Sequence, residues 1–273
     1  MMRRPPSRTL RRASAAVCLT LAFASTAFAQ YPQPPGFAPP PAAVDLFSRT
    51  EFHMFASKLT GDDTGFAWDT HFGGDLDIID YVAGRLVLIA DYEAVIGSEF
   101  RGIDPNQGNY TLEPSVSLRA GGTEVALVFH HVSRHLGDRP KTFAIDWNVL
   151  GARAQRRFMA GTATADVTVG AGTLVQHSRV DYRWTANADV LIRRPISSRL
   201  GAFARATGET FGTEKAVFNR TRVSGGKVEG GVKFTGAGGG LELFGGVEHR
   251  IDADPLDNLA RNWVFIGFRF LSK

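Results

Sequence analysis

The chain is short of cysteine, of long apolar runs and of net charge. Its only cysteine, Cys18, falls within the first 29 residues. Everything after them has no disulfide, no thiolate metal ligand and no cysteine nucleophile. No run of 18 apolar residues follows residue 30, which excludes a polytopic helical membrane protein. The formal charge of +4 is local. Residues 1–29 hold five arginines and no acid, so the remainder has 26 basic and 27 acidic residues. No basic cluster is left to serve a nucleic acid. Proline is also scarce where it matters: only Pro105, Pro114, Pro140, Pro195 and Pro255 follow residue 50.

What is present begins with a processing signal. Residues 1–12 are basic, residues 13–24 are short and apolar, and Ala27-Phe28-Ala29 has the small-x-small pattern of a cleavage site. Residues 1–29 therefore read as an export signal, with Gln30 as the new N-terminus. Val17 before Cys18 does not suit lipid attachment. Residues 30–49 form a proline-rich linker on the periplasmic side. Six of the 13 prolines lie between 30 and 43, which predicts an extended spacer rather than part of a core.

From residue 50 to 273 the hydrophobic pattern has a period of two. Leu112, Val116 and Leu118 alternate with Glu113, Ser115, Ser117 and Arg119. Tyr182, Trp184, Ala186, Val190 and Ile192 alternate with Asp181, Arg183, Thr185 and Asp189. Phe143, Ile145, Trp147 and Val149 alternate with Asp146 and Asn148. Such alternation over segments of roughly 10–15 residues predicts long strands with one apolar and one polar face. Soluble strands usually run about 5–6 residues. Charges recur on the polar face of nearly every strand. Placing that face around a wet lumen, with the apolar face toward lipid, removes the cost of burying them.

Counting strands gives 12, provided residues 216–235 are one strand with a β-bulge at Gly225-Gly226 that absorbs a phase change between Val223 and Val228. The fold class is thus all-β, a transmembrane antiparallel up-and-down barrel. Connections near 59–65, 98–109, 134–141, 175–178, 211–215 and 251–261 fall on the outer side and are mostly longer than those on the periplasmic side, as in outer-membrane barrels. The lumen-facing set includes Asp69, His71, Arg85, Asp91, Glu113, Arg119, Asp146, Asp181, Arg183, Asp189 and Arg269.

On the Ala27-Phe28-Ala29 signal, the alternation and the terminal strand Trp263-Val-Phe-Ile-Gly-Phe-Arg-Phe270, the chain resembles a bacterial outer-membrane β-barrel protein. The resemblance implies the cell outer membrane of a Gram-negative-type bacterium, outer-membrane lipid as surroundings, and the barrel assembly machinery as a partner. That machinery commonly recognises a terminal aromatic residue; here Leu271-Ser272-Lys273 follow Phe270. No cofactor and no metal is expected.

The densest polar cluster is His130-His131-Val132-Ser133-Arg134-His135-Leu136-Gly137-Asp138. It is similar to a segment in a family of uncharacterised outer-membrane proteins. His131 and Ser133 also repeat the His-x-Ser spacing of outer-membrane lipid A deacylases, with Arg134 where that motif has Asn. Residues i and i+2 share a strand face, so a base and a nucleophile can meet there. Asp146 and Glu124 are candidate third members by strand proximity. Three readings compete for the cluster: hydrolysis by His131 and Ser133, divalent-metal binding by His131, His135 and Asp138, and a plain turn. The leading expectation for the whole protein is a non-enzymatic barrel, either a narrow porin-like conduit for small solutes or a structural barrel. The alternative is a membrane-embedded lipid hydrolase.

Overall fold

In a computed structural model the described residues are 33–137 and 142–272. The signal segment, the proposed cleavage site and Asp138 lie outside them. Twelve antiparallel strands close into one barrel: β1 (Asp45–Leu59), β2 (Trp68–Asp80), β3 (Arg85–Gly97), β4 (Asp104–Ala120), β5 (Thr123–Leu136), β6 (Asp146–Ala160), β7 (Ala163–Ser178), β8 (Tyr182–Pro195), β9 (Leu200–Thr213), β10 (Arg222–Thr235), β11 (Gly239–Arg250) and β12 (Arg261–Ser272). Each strand pairs with its chain neighbours, and β1 pairs with β12 to close the ring. Closure leaves no sheet edge unpaired, which a strand protein in hydrocarbon requires. The inner-end turns are tight. Between β4 and β5 only Gly121 and Gly122 turn the chain, with φ of 57° and 78°. Two successive left-handed residues make a two-residue hairpin turn that glycine adopts without strain.

The faces follow the alternation. Leu112, Val116, Leu118, Val125, Leu127, Ile192, Val264 and Ile266 are exposed on the outer wall, while Glu113, Ser115, Ser117, Thr185 and Asp189 are buried inside. This apolar wall suits the hydrocarbon of a bilayer. The interior is not a wet passage. Ion pairs line it, each between adjacent or next-but-one strands: Arg85 with Asp77 and Glu124, Arg153 with Glu113, Arg205 with Asp189, and Arg269 with Glu229 and Glu242. Two apolar clusters fill much of the rest. One holds Phe55, Phe203, Phe244, Trp263 and Phe265; the other holds Val132, Trp147, Tyr182, Phe211 and Ile251.

Both ends are occupied as well. At the outer end residues 251–254 fold inward. Arg134 donates to the carbonyls of Asp252 and Ala253, and Arg220 pairs with Asp181 and Asp252. At the inner end residues 33–38, expected to be a spacer, enter the barrel. Pro35 is buried, Arg85 donates to the Gly36 carbonyl at 3.0 Å, and the Arg157 guanidinium sits 4.6 Å from the Phe37 ring centre. Proline removes backbone donors and Gly36 adds no side chain, so an extended segment fits among charged walls with few unmet hydrogen bonds.

Several expected faces are corrected. Asp146 and Asn148 are on the outer wall, because Trp147 and Val149 turn inward into the outer-end apolar cluster. Arg183 is exposed rather than lumen-facing: the register of β8 against β9 shifts between Tyr182 and Trp184, so Tyr182 points in, Trp184 points out and Arg183 lies at the irregularity. The phase change expected in β10 is absent. Residues 215–218 form the short helix α1 (Lys215–Phe218), and Val223 packs inward against the same apolar cluster. Odd residues Val223, Lys227 and Lys233 therefore share one face, and Gly225-Gly226 continues a single strand. The count of 12 holds without the bulge.

Packing of the lumen changes one expected mutational outcome. A wet lumen would accept Thr185→Arg; here Thr185 is fully buried and its hydroxyl has no partner. Thr185→Val should be neutral or stabilising, since it removes an unmet polar group without changing shape. Ala186→Arg, on the outer wall, should lower stability in bilayers by about 2–4 kcal/mol. Urea titration in lipid vesicles reads both, and a damaging Thr185→Val contradicts this assignment.

Candidate functional site on the outer wall

Strand β5 carries two different faces. Its even residues Glu124, Ala126, Val128, His130, Val132 and Arg134 are buried in the barrel. Its odd residues Val125, Leu127, Phe129, His131, Ser133 and His135 point outward. His131, Ser133 and His135 therefore form a column at the outer end of the wall, above an apolar belt. His130 is separate: it faces in and bonds Glu113 Oε2 at 2.9 Å.

The neighbouring strands supply the rest. In the β5–β6 register His131 stands opposite Asn148, and Ser133 opposite Asp146. His131 Nδ1 lies 2.6 Å from Asn148 Oδ1. Asn148 Nδ2 donates to Gln176 Oε1 at 2.5 Å, and Gln176 Nε2 donates to Asp146 Oδ1 at 3.0 Å. The chain has one consistent polarity. Asp146 only accepts, which orients the Gln176 amide, which orients the Asn148 amide with its oxygen toward His131. His131 Nδ1 is then the donor, and Nε2 is left as the basic nitrogen. Ser133 sits between two imidazoles on the same face. In this conformation its Oγ contacts His135 Nε2 at 3.0 Å.

On the other side of the column an aromatic ladder crosses four strands. Phe72, Tyr92, Tyr110 and His135 follow one another with ring centres 5.0, 4.8 and 5.3 Å apart. Gly108 makes room for it, because a Cβ there would lie 2.6 Å from the Tyr92 hydroxyl. With Ala90 and Leu112 these rings line an open groove of about 550 Å³, and His131, Ser133 and His135 also border it. An apolar groove on a lipid-facing wall with a hydroxyl and two imidazoles at its edge is suited to an acyl chain and its ester carbonyl.

The sequence singled out His131 and Ser133 but missed Asn148. It had placed Asn148 with Asp146 in the lumen, whereas both stand outside, beside the histidine. Glu124 is buried inside and paired with Arg85, so it takes no part. The remaining predicted residues divide cleanly. Asp69, His71, Arg85, Asp91, Glu113, Arg119, Asp181, Asp189 and Arg269 carry interior ion pairs or hydrogen bonds. Asp146 and Arg183 lie outside the lumen, for the reasons given above.

No family model matches the chain, and no curated protein is similar to it in sequence. Solved structures do share its shape. The Salmonella typhi outer membrane phospholipase (OMPLA) dimer with bound calcium aligns over 81% of this chain and 90% of its own, at 12% identity and a TM-score of 0.50. An active-site mutant of the Escherichia coli outer membrane phospholipase A, an asparagine changed to alanine, aligns over 82% and 91%, at 12% identity and a TM-score of 0.51. The KdgM porin aligns at 6% identity and a TM-score of 0.44, over 81% of this chain and 98% of its own. Identities this low establish architecture alone. The fold of this chain is that of the bacterial outer-membrane β-barrels.

Proposed function

We propose that the protein is a lipid-ester hydrolase of the outer membrane. Ser133 is the nucleophile, His131 the general base and Asn148 the group that orients it. The observation that carries this reading is the oriented pair His131–Asn148 two residues from Ser133, on the outer wall beside the aromatic groove. Ion pairs, aromatic clusters and two inward-folded segments occupy the lumen, which speaks against an open conduit. A phospholipase among proteins of the same shape is consistent with such a site, though the argument rests on the residues of this chain.

On this reading the reaction has a definite course. One acyl chain lies along Phe72, Tyr92 and Tyr110, which brings its ester carbonyl to Ser133. A change of the Ser133 χ1 rotamer turns Oγ from His135 toward His131 on the same face. Oγ attacks the carbonyl carbon, and its proton passes to His131 Nε2. The tetrahedral centre collapses as the ester C–O bond breaks, and the imidazolium returns the proton to the departing alkoxide. Water activated by the same nitrogen then attacks the acyl-serine and releases a fatty acid. Asn148 keeps the imidazole in the tautomer that this cycle needs and holds the ring in plane.

The test uses the barrel folded into vesicles of phospholipid, with and without lipid A. Fatty-acid release by the wild type, abolished by Ser133→Ala at unchanged folding, is the expected result. Ester-bound chains released from only one of the two lipids would name the substrate class. Absence of release from both, with ion conductance across the same vesicles, would establish the conduit instead.

A further inference from the structure

Inside the barrel, away from the outer-wall site, β2 and β3 bring a second chemical cluster together. Asp69 and His71 share the inner face of β2, and Asp91 and Glu93 share that of β3, with His71 opposite Glu93 in the register. His53 joins from β1. His71 is held from one side: its Nδ1 lies 2.7 Å from Asp91 Oδ2, and Asp91 Oδ1 lies 2.9 Å from His53 Nε2. The other ring nitrogen faces two carboxylates. His71 Nε2 is 3.3 Å from Asp69 Oδ1 and 3.7 Å from Glu93 Oε1. Asp69 is fully buried, and its Oδ1 accepts no hydrogen bond.

We propose that Asp69, His71 and Glu93 form a binding site for a divalent first-row transition-metal ion, of which zinc is the representative. Three features support it. The first is spacing. Bonds of about 2.0–2.2 Å arranged tetrahedrally put ligand atoms roughly 3.4 Å apart. The separations of 3.3 and 3.7 Å bracket that value. The second is the outer support. A ligating imidazole that donates its second N–H to a carboxylate is the usual arrangement of metal-bound histidine, and Asp91 supplies it. The Arg250 guanidinium holds Asp69 through its other oxygen, Oδ2, at 2.9 Å and shares Glu93 Oε1 at 2.7 Å, and Asn109 holds Glu93 Oε2 at 2.6 Å. Asp69 Oδ1 is thereby left aimed at His71 with nothing else to bind.

The third feature is charge. Four carboxylates, those of Asp69, Asp91, Glu93 and Glu248, converge there. The cations among them are Arg250, Lys227, which is 3.9 Å from Glu248, and the His71 imidazolium between Asp69 and Asp91, whose Nε2 proton a bound metal ion would displace. Arg134 borders the same cavity but spends its donors on Gln107 and the carbonyls of residues 252 and 253. Arg205 and Arg269 pair with Asp189 and with Glu229 and Glu242. A dication bound to a neutral His71 fits the remaining excess of negative charge. A cavity of about 110 Å³ adjoins the cluster, with room for waters to complete the coordination. One imidazole with two carboxylates suits zinc, manganese or ferrous iron rather than copper(I), which prefers sulfur. The ion would clamp β2 to β3 and, through Arg250, to β11.

The test is direct metal uptake by the full-length barrel, refolded after treatment with a chelator. Titration with cobalt(II), read by its visible absorption, and with zinc, read by elemental analysis, should show a single equivalent per chain. His71→Gln should abolish uptake, and Glu93→Gln should do the same. Asp91→Asn should weaken it by roughly 10–100-fold, as expected for a residue that only orients the ligand. His249→Gln, whose ring meets Asn262 on the exposed wall, should bind as the wild type does. Heat-modifiable gel mobility establishes that each variant is folded. If His71→Gln does not fold, Glu93→Gln and Asp91→Asn carry the test. A folded wild type that takes up neither ion overturns the proposal, as does uptake that survives in folded His71→Gln.

Discussion

His131→Ala is expected to lower lipid-ester hydrolysis on the order of 10²–10⁴-fold, the usual contribution of a positioned general base. The loss should fall on kcat rather than KM, because the imidazole touches the reacting atoms and not the acyl chain. Asn148→Ala should also reduce kcat, since it frees the ring to rotate and to adopt the other tautomer. His135→Ala should stay within a few-fold of the wild type: its imidazole contacts Ser133 in the resting conformation and packs edge-on against Tyr110, whereas the imidazole assigned as base is the one that Asn148 orients. All three residues stand on the outer wall, so folding should change by only about 0.5 kcal/mol or less. If His135→Ala is the inactive variant and His131→Ala keeps its activity, the base has been assigned to the wrong side of the serine. If neither matters while Ser133→Ala is inactive, the triad is wrong.

The largest stability effect is expected at Arg250. Its guanidinium bonds Asp69, Glu93 and Glu248 at 2.9, 2.7 and 2.6 Å, lies 5.4 Å from the Trp263 ring centre, and is buried together with Asp69 and Glu248. Arg250→Ala leaves three carboxylates facing one another without the cation that joined them. Removing one member of a buried ion pair costs about 3–5 kcal/mol, a large part of the roughly 5–15 kcal/mol that holds a typical domain. Arg261 is the control. It pairs with Asp63 and Asp257 on the exposed outer rim, where such pairs contribute about 0–1 kcal/mol. Urea midpoints in vesicles should separate the two variants widely. Equal shifts would mean that water screens the interior charges, and that the lumen is wet after all.

The interior network also accounts for the scattered charges of the sequence. Arg153 reaches Glu113 from β6 to β4, and Arg269 reaches Glu229 from β12 to β10. None of these pairs is close in sequence. Alternation alone placed both signs of charge inside, and it could not tell separated charges from matched ones. Matching depends on how far each strand slides along its neighbour and on which strands come within side-chain reach inside the curved wall. Those are properties of closure.

The architecture was legible because the period of two is a local property. Each strand such as 110–120 shows its faces within a single segment, and glycine pairs such as Gly121-Gly122 mark the turns. Twelve strands followed, as did the outward faces of Leu112, Trp184 and Val264. Reading failed where apolar residues fill the lumen. Trp147, Tyr182 and Val223 look like wall residues by composition, yet they pack together beneath the inward loop at 251–254. An apolar side chain gains as much from a dry interior as from lipid, so hydrophobicity alone does not choose between them. The candidate site divided in the same way. His131 and Ser133 were adjacent in sequence, and their common face followed from their spacing. Asn148 was not legible, because its position opposite His131 is set by the register of a hairpin whose loop spans residues 137–145. The chain thus specifies by itself a barrel and a His-x-Ser pair. Only the closed structure decides that the pair faces outward, that an asparagine orients it, and that the lumen is packed, because register and cross-barrel contact arise only once the strands have met.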